Sequence, residues 1–322
     1  MILITGATGF IGSYTARAVQ ERGLEAVAVS RHDWRDEARY VLGGDVPELV
    51  RLDTGDSAAL EALVRDRRPD TLIHLDAYVN PVGLREDPVR AIEANVEPTL
   101  ALLELCRRYE VQRFVLASTV AVLPSIRYQP IDAAHPLVTP TEGPAGGFYG
   151  VSKAVSEMLA LGYADAFPLD VRIVRPSAVY GFGMQWPIGV KPVIEGICEG
   201  REVQIATGGP PRDFTPVQDV AEIFAAVAEC AEDADRVFFG GTGRPLTTPV
   251  EYLDVVRTTF PDAAVRAVDE NADPAGVESR YRGVVDMTPV RDQLGVQPAF
   301  ASLGEGLAHY AEEYRRFRGA RR

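Results

Sequence analysis

The stretch Met1-Ile2-Leu3-Ile4-Thr5-Gly6-Ala7-Thr8-Gly9-Phe10-Ile11-Gly12 decides the fold of this chain. Four residues suited to a buried strand lead into three glycines, and a helical pattern follows to Arg22. Gly6 allows a tight turn, Gly9 lets a pyrophosphate approach the helix N-terminus, and Gly12 lets the helix pack closely on the sheet. The spacing G-x-x-G-x-x-G would also suit a structural turn without a ligand. The strand–turn–helix context favours a dinucleotide-phosphate site.

Composition narrows the class of protein. The chain has 322 residues, of which 46% are hydrophobic and 25% charged, enough for one large α/β domain or a domain with a smaller lobe. A formal net charge of −13 argues against a nucleic-acid binder or a binder of anionic membranes. Because no apolar run approaches the ~20 residues that span a bilayer, we expect a soluble cytoplasmic protein. The three cysteines and four histidines are scattered, which predicts reduced thiols and no metal site.

Strand and helix patterns alternate through the first half of the chain, as a parallel doubly wound (Rossmann) sheet requires. A Rossmann domain is predicted over 1–176 plus about 215–241, and a smaller substrate-binding lobe over about 177–214 plus 242–322. The predicted strands after the first are 25–30, 50–53, 71–75, 113–117, 170–175 and 236–239. The predicted helices are 57–68, 88–109, one from about 149, 217–231, 249–260 and 303–316.

One short motif can carry chemistry. Tyr149-Gly150-Val151-Ser152-Lys153 places a tyrosine and a lysine four residues apart, on one face at a helix start. A free phenol has a pKa of about 10, so a tyrosine acid/base needs positive charge nearby, from Lys153 and from an oxidised nicotinamide. An exposed Tyr–Lys surface pair is the alternative. Ser118 and Thr119 end a predicted strand, where a hydroxyl can hydrogen-bond the substrate oxygen.

Together these motifs resemble the extended short-chain dehydrogenase/reductase family of nucleotide-sugar epimerases, dehydratases and ketoreductases. The resemblance covers nearly the whole chain. Its further motifs are Leu72-Ile73-His74-Leu75-Asp76-Ala77, Asn95-Val96-Glu97-Pro98-Thr99, Phe114 to Thr119, Arg175 to Gly181 and Arg212 to Ala221.

The resemblance implies roles for individual residues. Tyr149 is implied as the catalytic acid/base, and Lys153 as the residue that binds the cofactor ribose and lowers the tyrosine pKa. Thr119 aligns with the catalytic Ser/Thr, Ser118 is a lesser candidate, and Asn95 would support the site from its helix. The implied cofactor contacts are Gly6, Gly9, Phe10, Ile11, Gly12, Asp53, Leu75, Ala77, Lys153 and Pro176.

Cofactor choice depends on the residue after the second strand. An acid there would bind the ribose hydroxyls of NAD, whereas this chain has Ser30-Arg31, which suits the extra phosphate of NADP. NADP is therefore favoured over NAD, although Arg31 would equally suit a plain surface position. The acid that NAD-retaining epimerases use here is absent.

The reaction type follows from what stands beside Thr119. Family dehydratases carry Asp-Glu directly after the catalytic Thr, but here Val120 and Ala121 cannot transfer protons. That leaves an alcohol/ketone oxidoreductase as the main hypothesis and an NAD-retaining epimerase, working through a transient ketone, as the alternative. A cofactor-sensing protein without catalysis is the third.

The substrate is predicted to be sugar-like and small, and a nucleotide sugar is favoured. Tyr149, Thr119 and Arg212, aligned with a diphosphate-binding arginine, are implied substrate contacts. Ala178 and Asp76 replace an Asn and an Ala of relatives, and Asn271-Ala272-Asp273-Pro274 stands where many have a second phosphate-binding arginine. A free sugar, a sugar acid or another polyol thus stays open. The helix predicted over 88–109 carries an apolar stripe at helical spacing, namely Ile92, Val96, Leu100 and Leu103. This helix and the one near 149 resemble a pair that dimerises, so a homodimer is predicted; burial of the stripe within one chain is the alternative.

Overall fold

A seven-stranded parallel sheet organises the protein. The computed structural model describes residues 1–185, 189–273 and 278–320. The order of the strands across the sheet is β10-β6-β5-β4-β1-β2-β3, and neighbouring strands are parallel throughout. The predicted doubly wound sheet is confirmed. The strands are β1 (Ile2–Thr5), β2 (Ala26–Ser30), β3 (Glu48–Arg51), β4 (Thr71–His74), β5 (Arg113–Ala117), β6 (Asp170–Pro176), β7 (Ala178–Tyr180), β8 (Val203–Gly208), β9 (Phe214–Pro216), β10 (Val237–Gly240) and β11 (Val265–Asn271).

Helices cover both faces of this sheet. They are α1 (Phe10–Glu21), α2 (Asp36–Leu42), α3 (Ser57–Arg67), α4 (Pro81–Glu86), α5 (Val89–Ala91), α6 (Glu97–Arg108), α7 (Gly147–Ala166), α8 (Val190–Cys198), α9 (Val217–Glu229), α10 (Pro249–Thr259), α11 (Glu278–Tyr281), α12 (Thr288–Leu294) and α13 (Leu303–Gly319). A π-helical turn, Ile92–Val96, joins α5 to α6, and a 3₁₀ turn spans Val120–Val122. None of the described helices has the length and apolar character needed to cross a bilayer.

Alternation along the strands explains the two apolar layers. In β1, Leu3 packs into the layer formed with α3, α6 and α7, while Ile4 packs into the layer formed with α1 and α9. Both side chains are fully buried, as expected for a strand covered by helices on both faces. Each such side chain contributes about 1.5–3 kcal/mol of burial free energy.

The strand order places a crevice at the carboxyl edge of the sheet. The chain leaves β1 toward β2 on one side, whereas β4 pairs with β1 on the other side. Loops that follow β1 and β4 therefore diverge, and ligands of doubly wound sheets bind where they do so. The loops after β5 and β6 open on the same edge.

Beyond the sheet the chain forms two small parallel pairs, β8 with β11 and β7 with β9. α10 and α13 pack together here, and α8 packs on α13 and on β8. The predicted division into a Rossmann domain and a lobe remains a prediction. Of the segment 271–274, Pro274 lies outside the described residues.

Some sequence-based boundaries were wrong. The third strand ends at Arg51, two residues earlier than predicted, so Asp53 lies in the following turn. The single helix predicted over 88–109 is divided by the π-helical turn. Two residues of its apolar stripe, Ile92 and Leu100, are each 42% exposed instead of buried. Helices α2, α4, α8, α11 and α12 were not predicted.

Candidate active site

The glycine turn after β1 has the geometry of a phosphate-binding loop. Gly6 has φ +70°, and a Cβ on it would lie 2.7 Å from the backbone nitrogen of Asp76. A Cβ on Gly12 would lie 2.2 Å from the carbonyl oxygen of Gly6. Gly9 is the N-cap of α1, and no side chain caps this helix end. The helix N-terminus is thus left for an anionic ligand.

A cleft of about 630 Å³ runs from this turn along the carboxyl edge of the sheet. Most predicted site residues line it, namely Gly6, Gly9, Phe10, Ile11, Gly12, Ser30, Arg31, Leu75, Asp76, Ala77, Ser118, Thr119, Tyr149, Lys153 and Pro176. Other lining residues were not predicted from the sequence, including Thr8, His32, Arg35, Ser177, Val179, Met184 and Gln185. Arg35 follows Ser30-Arg31 by only a few positions, so a basic cluster was the signal that could have found it.

Tyr149 and Thr119 meet inside this cleft. Tyr149 lies in the first turn of α7, and Thr119 lies just after β5. Burial raises the pKa of Tyr149 to about 12, although a hydrogen bond from Thr119 lowers that pKa; nearby Tyr281 raises it further. Because Tyr149 remains partly exposed, a ligand in the cleft can reach it. A positively charged neighbour is needed to bring its pKa toward neutrality.

Lys153 stands one helical turn beyond Tyr149. Its side chain is 1% exposed, and its Nζ has no hydrogen-bond partner among the described residues. Burial lowers the pKa of Lys153 to about 8, while Asp76 and then Glu157 act in the opposite direction. A buried ammonium without a partner, in the wall of a cleft, fits a hydroxyl of the nicotinamide ribose. NAD or NADP would therefore be held by the glycine turn at one end and by Lys153 at the other.

Ser118 is engaged in a buried network. Its Oγ donates a short hydrogen bond to Glu157, whose carboxylate also accepts from Nε and Nη2 of Arg175 at 3.0 and 2.7 Å. Ser118 lines the cleft, but its hydroxyl is occupied in this way. Thr119 is the hydroxyl that faces Tyr149.

Asn95 lies outside the cleft lining and connects parts of its wall. Its Oδ1 accepts from the Tyr78 backbone at 2.7 Å, and its Nδ2 donates to the carbonyl of Tyr78 at 3.1 Å and to Ser152 Oγ at 3.0 Å. Asn95 is fully buried. It ties the loop after β4 to the helix that carries Tyr149. Its role in supporting catalysis remains a prediction.

The residues after β2 form a basic corner of the cleft. Ser30 Oγ lies 2.6 Å from Thr8 Oγ1, and Arg31, His32 and Arg35 line the same corner. Arg31 Nη1 is 3.8 Å from Asp53 Oδ2, and both side chains are about half exposed. Asp53 itself does not line the cleft. Its predicted contact with the adenine therefore remains a prediction.

Two predicted substrate contacts lie apart from Tyr149. Ala178 pairs with Phe214 between β7 and β9 and is not part of the cleft lining, although its two neighbours are. Arg212 lines a neighbouring pocket of about 120 Å³ together with Tyr180, Asp219 and Arg244. The structure does not bring Arg212 into the catalytic cleft. Its contact with a diphosphate remains a prediction.

A doubly wound parallel sheet with a glycine turn at its crevice is the arrangement of a Rossmann-type dinucleotide-binding protein. The chain belongs to the NAD dependent epimerase/dehydratase family, whose model matches residues 2–238. This membership makes it an enzyme, in agreement with the sequence analysis and against a non-catalytic sensor. The resemblance to extended short-chain dehydrogenases/reductases is confirmed.

Individual relatives can be aligned with this chain along nearly its whole length. UDP-glucose 4-epimerase of Mycolicibacterium smegmatis is 28% identical over 97% of this chain and 98% of its own length. dTDP-glucose 4,6-dehydratase of Streptomyces antibioticus is 29% identical over 98% of this chain and 92% of its own length. Among solved structures, the Thermus thermophilus UDP-glucose 4-epimerase complex with NAD has a TM-score of 0.78 at 27% identity, covering 98% of both chains. UDP-glucose 4-epimerase of Thermotoga maritima, solved with UDP-glucose, has a TM-score of 0.81 at 25% identity and the same coverage.

Proposed function

We propose that this protein is a nucleotide-sugar epimerase that inverts one carbon through a transient ketone. The observation that carries the proposal is that Thr119, Tyr149 and Lys153 line one cleft, with Lys153 one helical turn beyond Tyr149. This hypothesis was the alternative in the sequence analysis. The relatives named above favour it over the net oxidoreductase placed first there.

The side chains divide the proton chemistry as follows. Tyr149, as phenolate, takes the proton of the sugar hydroxyl while that carbon gives up a hydride, and it returns the same proton when the ketone is reduced. Thr119 hydrogen-bonds the reacting oxygen, and the charge of Lys153 favours the phenolate. Bound NAD would accept the hydride and return it to the opposite face of the carbon. One acid/base group is enough, since no proton is lost or gained overall.

Residues next to Thr119 argue against elimination of water. Val120 and Ala121 occupy the 3₁₀ turn that follows it, and both are buried and apolar. Loss of water needs a further acid and base at the sugar carbons, and these side chains supply neither. This supports epimerisation over dehydration although one of the relatives is a dehydratase.

A nucleotide sugar is the proposed substrate class. Relatives that match nearly the full length are named for UDP-glucose, and one neighbour structure contains it. Ser177, Met184 and Gln185 also line the cleft that contains Tyr149. Arg212, in the neighbouring pocket, is the proposed residue for the diphosphate.

Incubation with a panel of UDP- and dTDP-hexoses, without added cofactor, tests the proposal. We expect conversion to the epimer and no net change in nicotinamide absorbance. Tyr149→Phe should reduce turnover about 10²- to 10⁴-fold and leave cofactor binding nearly intact, because Phe removes only the hydroxyl. Undiminished turnover in this variant would refute the acid/base assignment.

A net reductase that uses NADP is the second candidate, and the basic corner of Ser30, Arg31, His32 and Arg35 favours it. Titration with NADH and NADPH separates the two hypotheses. A reductase should prefer NADPH and consume it stoichiometrically, and Arg31→Ala should weaken NADPH binding while NADH binding changes little. Arg39→Ala is the matched control, since Arg39 pairs with Asp33 outside the cleft lining. Tightly held NAD with no consumption supports the epimerase.

We also propose that two copies associate through α6, α7 and the adjoining π-helical turn. Exposed apolar side chains lie on these elements and on the adjoining α5, namely Val89 of α5 and Ile92, Leu100, Phe148, Val151 and Met158. The exposure of Ile92 and Leu100 argues against the alternative in which the same chain covers the whole stripe. A second copy packed about a two-fold axis would bury this face in a four-helix arrangement.

A further inference from the structure

We propose that the segment 181–185, which we call the strap, retains the bound dinucleotide, and that Tyr14 and Arg35 are positioning residues that hold the strap in place. The strap directly follows β7, and its last two residues, Met184 and Gln185, line the cofactor cleft. The inference rests on the proposed function in one respect: an epimerase that returns its own hydride must keep NAD bound between the two hydride transfers. Retention itself can be measured without any sugar.

The first part of the strap is anchored on the helices that flank the sheet. Tyr14, on α1, is buried, and its hydroxyl donates a hydrogen bond of 3.2 Å to the carbonyl oxygen of Phe182. The buried ring of Phe182 packs against those of Tyr40 on α2 and Phe317 on α13, with centroids 5.4 and 5.1 Å apart. Phe182 is therefore a fixed point, because an aromatic cluster and a hydrogen bond hold it.

Arg35 ties the next residue of the strap to the basic corner of the cleft. Its Nη1 donates a hydrogen bond of 3.3 Å to the carbonyl oxygen of Gly183, and its Nη2 lies 3.3 Å from Glu37 Oε2. Arg35 also lines the cofactor cleft. Since a guanidinium has several N–H donors, Arg35 can hold the Gly183 carbonyl and bind an anionic group of the dinucleotide at the same time. The strap and a ligand in this corner thus share one side chain.

Beyond Phe182 the strap borders open volume. Gly183 and Met184 are partly exposed, and Gln185 is exposed. Phe182 and Gly183 line a second pocket, of about 370 Å³, whereas Met184 and Gln185 line the cofactor cleft. Consecutive residues of the strap thus border two cavities, so the part after Phe182 can move without repacking the apolar core. The contact with Arg35 opposes that movement.

Tyr14→Phe separates the strap from direct contact with the ligand. Tyr14 is not among the residues that line the cofactor cleft, so loss of its hydroxyl reaches the dinucleotide only through Phe182. In stopped-flow displacement of NADH, followed by its fluorescence, we expect the dissociation rate constant to rise about 2- to 10-fold, the effect of one hydrogen bond. The matched control is Tyr109→Phe, which removes a hydroxyl hydrogen bond of 2.8 Å to Glu61 in the other apolar layer and should leave release unchanged.

Variants of Arg35 test the second attachment. Arg35→Gln removes the cation and should also accelerate the release of NADH. Arg35→Lys keeps a cation that can donate to the Gly183 carbonyl, and it should restore most of the slow release. If Arg35 acted on the ligand alone, Tyr14→Phe would release NADH at the rate of the unmodified protein. That result overturns the role of the strap.

A disulfide across the same contact gives a test in the opposite direction. A Cβ on Gly183 would lie 3.5 Å from Glu37 Cβ, a separation that suits a disulfide. When Glu37→Cys and Gly183→Cys are combined, protein loaded with NADH and then oxidised should release it several-fold more slowly than the same protein after reduction. Both states carry the strain that the φ of +84° at Gly183 imposes on a side chain, so it cancels in the comparison. Equal rates, with the disulfide verified by mass spectrometry, would contradict retention by the strap.

The outcome is separable from that of the proposed function. If no UDP- or dTDP-hexose is epimerised, the release rates of NADH still decide the role of the strap. Conversely, unchanged release in Tyr14→Phe, together with epimerisation by the unmodified protein, would remove the strap and leave the proposed function intact. An unmodified protein that binds neither NADH nor NADPH would overturn both.

Discussion

Arg175 and Glu157 form a buried ion pair, in which Nε and Nη2 of the arginine donate to the two carboxylate oxygens. Arg175 belongs to β6 and is 3% exposed, and Glu157 belongs to α7 and is fully buried. Since Ser118 donates to the same carboxylate, the pair links α7 to two strands of the sheet. Glu157 lies one turn after Lys153, so this link anchors the helix that carries Tyr149 and Lys153 to the sheet.

Removal of the Glu157 charge should therefore lower the stability of the fold. Glu157→Gln leaves Arg175 charged and buried, and we expect the free energy of unfolding to fall by about 3–5 kcal/mol in urea denaturation. Glu312→Gln, which breaks an exposed i,i+4 pair with Arg316, should cost less than about 1 kcal/mol. Equal losses in the two variants would contradict the structural role of the buried pair.

Gly12→Ala should distort the glycine turn after β1. The new Cβ would lie 2.2 Å from the Gly6 oxygen and 2.8 Å from Ala7 Cα, both of them backbone atoms. We expect a loss of about 1–3 kcal/mol in stability from this overpacking, together with weaker NAD binding in a fluorescence titration. Gly162→Ala, in an exposed part of α7 with nothing within 4 Å of the new Cβ, should instead stabilise the protein by up to about 1 kcal/mol.

Thr119→Val should shift the pH dependence of kcat, because the hydroxyl of the sugar is oxidised in the first step of the proposed reaction. Burial raises the pKa of Tyr149, and the hydrogen bond from Thr119 offsets part of this increase. Loss of that hydrogen bond should therefore raise the pKa of Tyr149 further. Because the phenolate is the form that accepts the proton, the acid limb of the kcat profile should move to higher pH, by about one to two units. Thr119→Ser keeps a hydroxyl and should keep a profile close to that of the unmodified protein. Superimposable profiles for Val and Ser would exclude this role of Thr119.

Charged residues on the exposed helical face should prevent self-association. Leu100→Glu combined with Met158→Glu should convert a dimer to a monomer in sedimentation velocity, because a buried unpaired carboxylate opposes assembly. Val250→Glu, at an equally exposed position on α10, should leave the dimer intact. A monomer in the unmodified protein would contradict the proposed interface.

The sequence allowed much of the sheet and cleft to be predicted because their signals are local. A run of apolar residues followed by glycines specifies β1, the turn and α1 within a dozen positions, and one helical turn separates Tyr149 from Lys153. Strand alternation in the first half then brings their carboxyl ends to one edge. These features depend on neighbours in the chain, so a single sequence suffices to predict them.

Other features depend on pairs that are distant in the chain. Glu157 meets Arg175, and Thr54 meets Asp76, through packing of α7 and of the loops on the sheet. Nothing in the local pattern of Arg35 shows that its Nη1 reaches the Gly183 carbonyl at 3.3 Å. Likewise, the apolar spacing of Ile92 and Leu100 predicts a helical face but not which neighbour covers it.

The sequence by itself thus determined the class of fold, the phosphate turn and the identity of the Tyr–Lys pair, since each is encoded by residue type at short spacing. The tertiary structure decided the rest. It brought Thr119, Tyr149 and Lys153 into the lining of one cleft, buried Lys153, put Arg212 in a separate pocket and left part of the apolar stripe exposed. The physical reason is that burial and electrostatic environment belong to the packed arrangement of several elements, and no one segment of the chain contains that information.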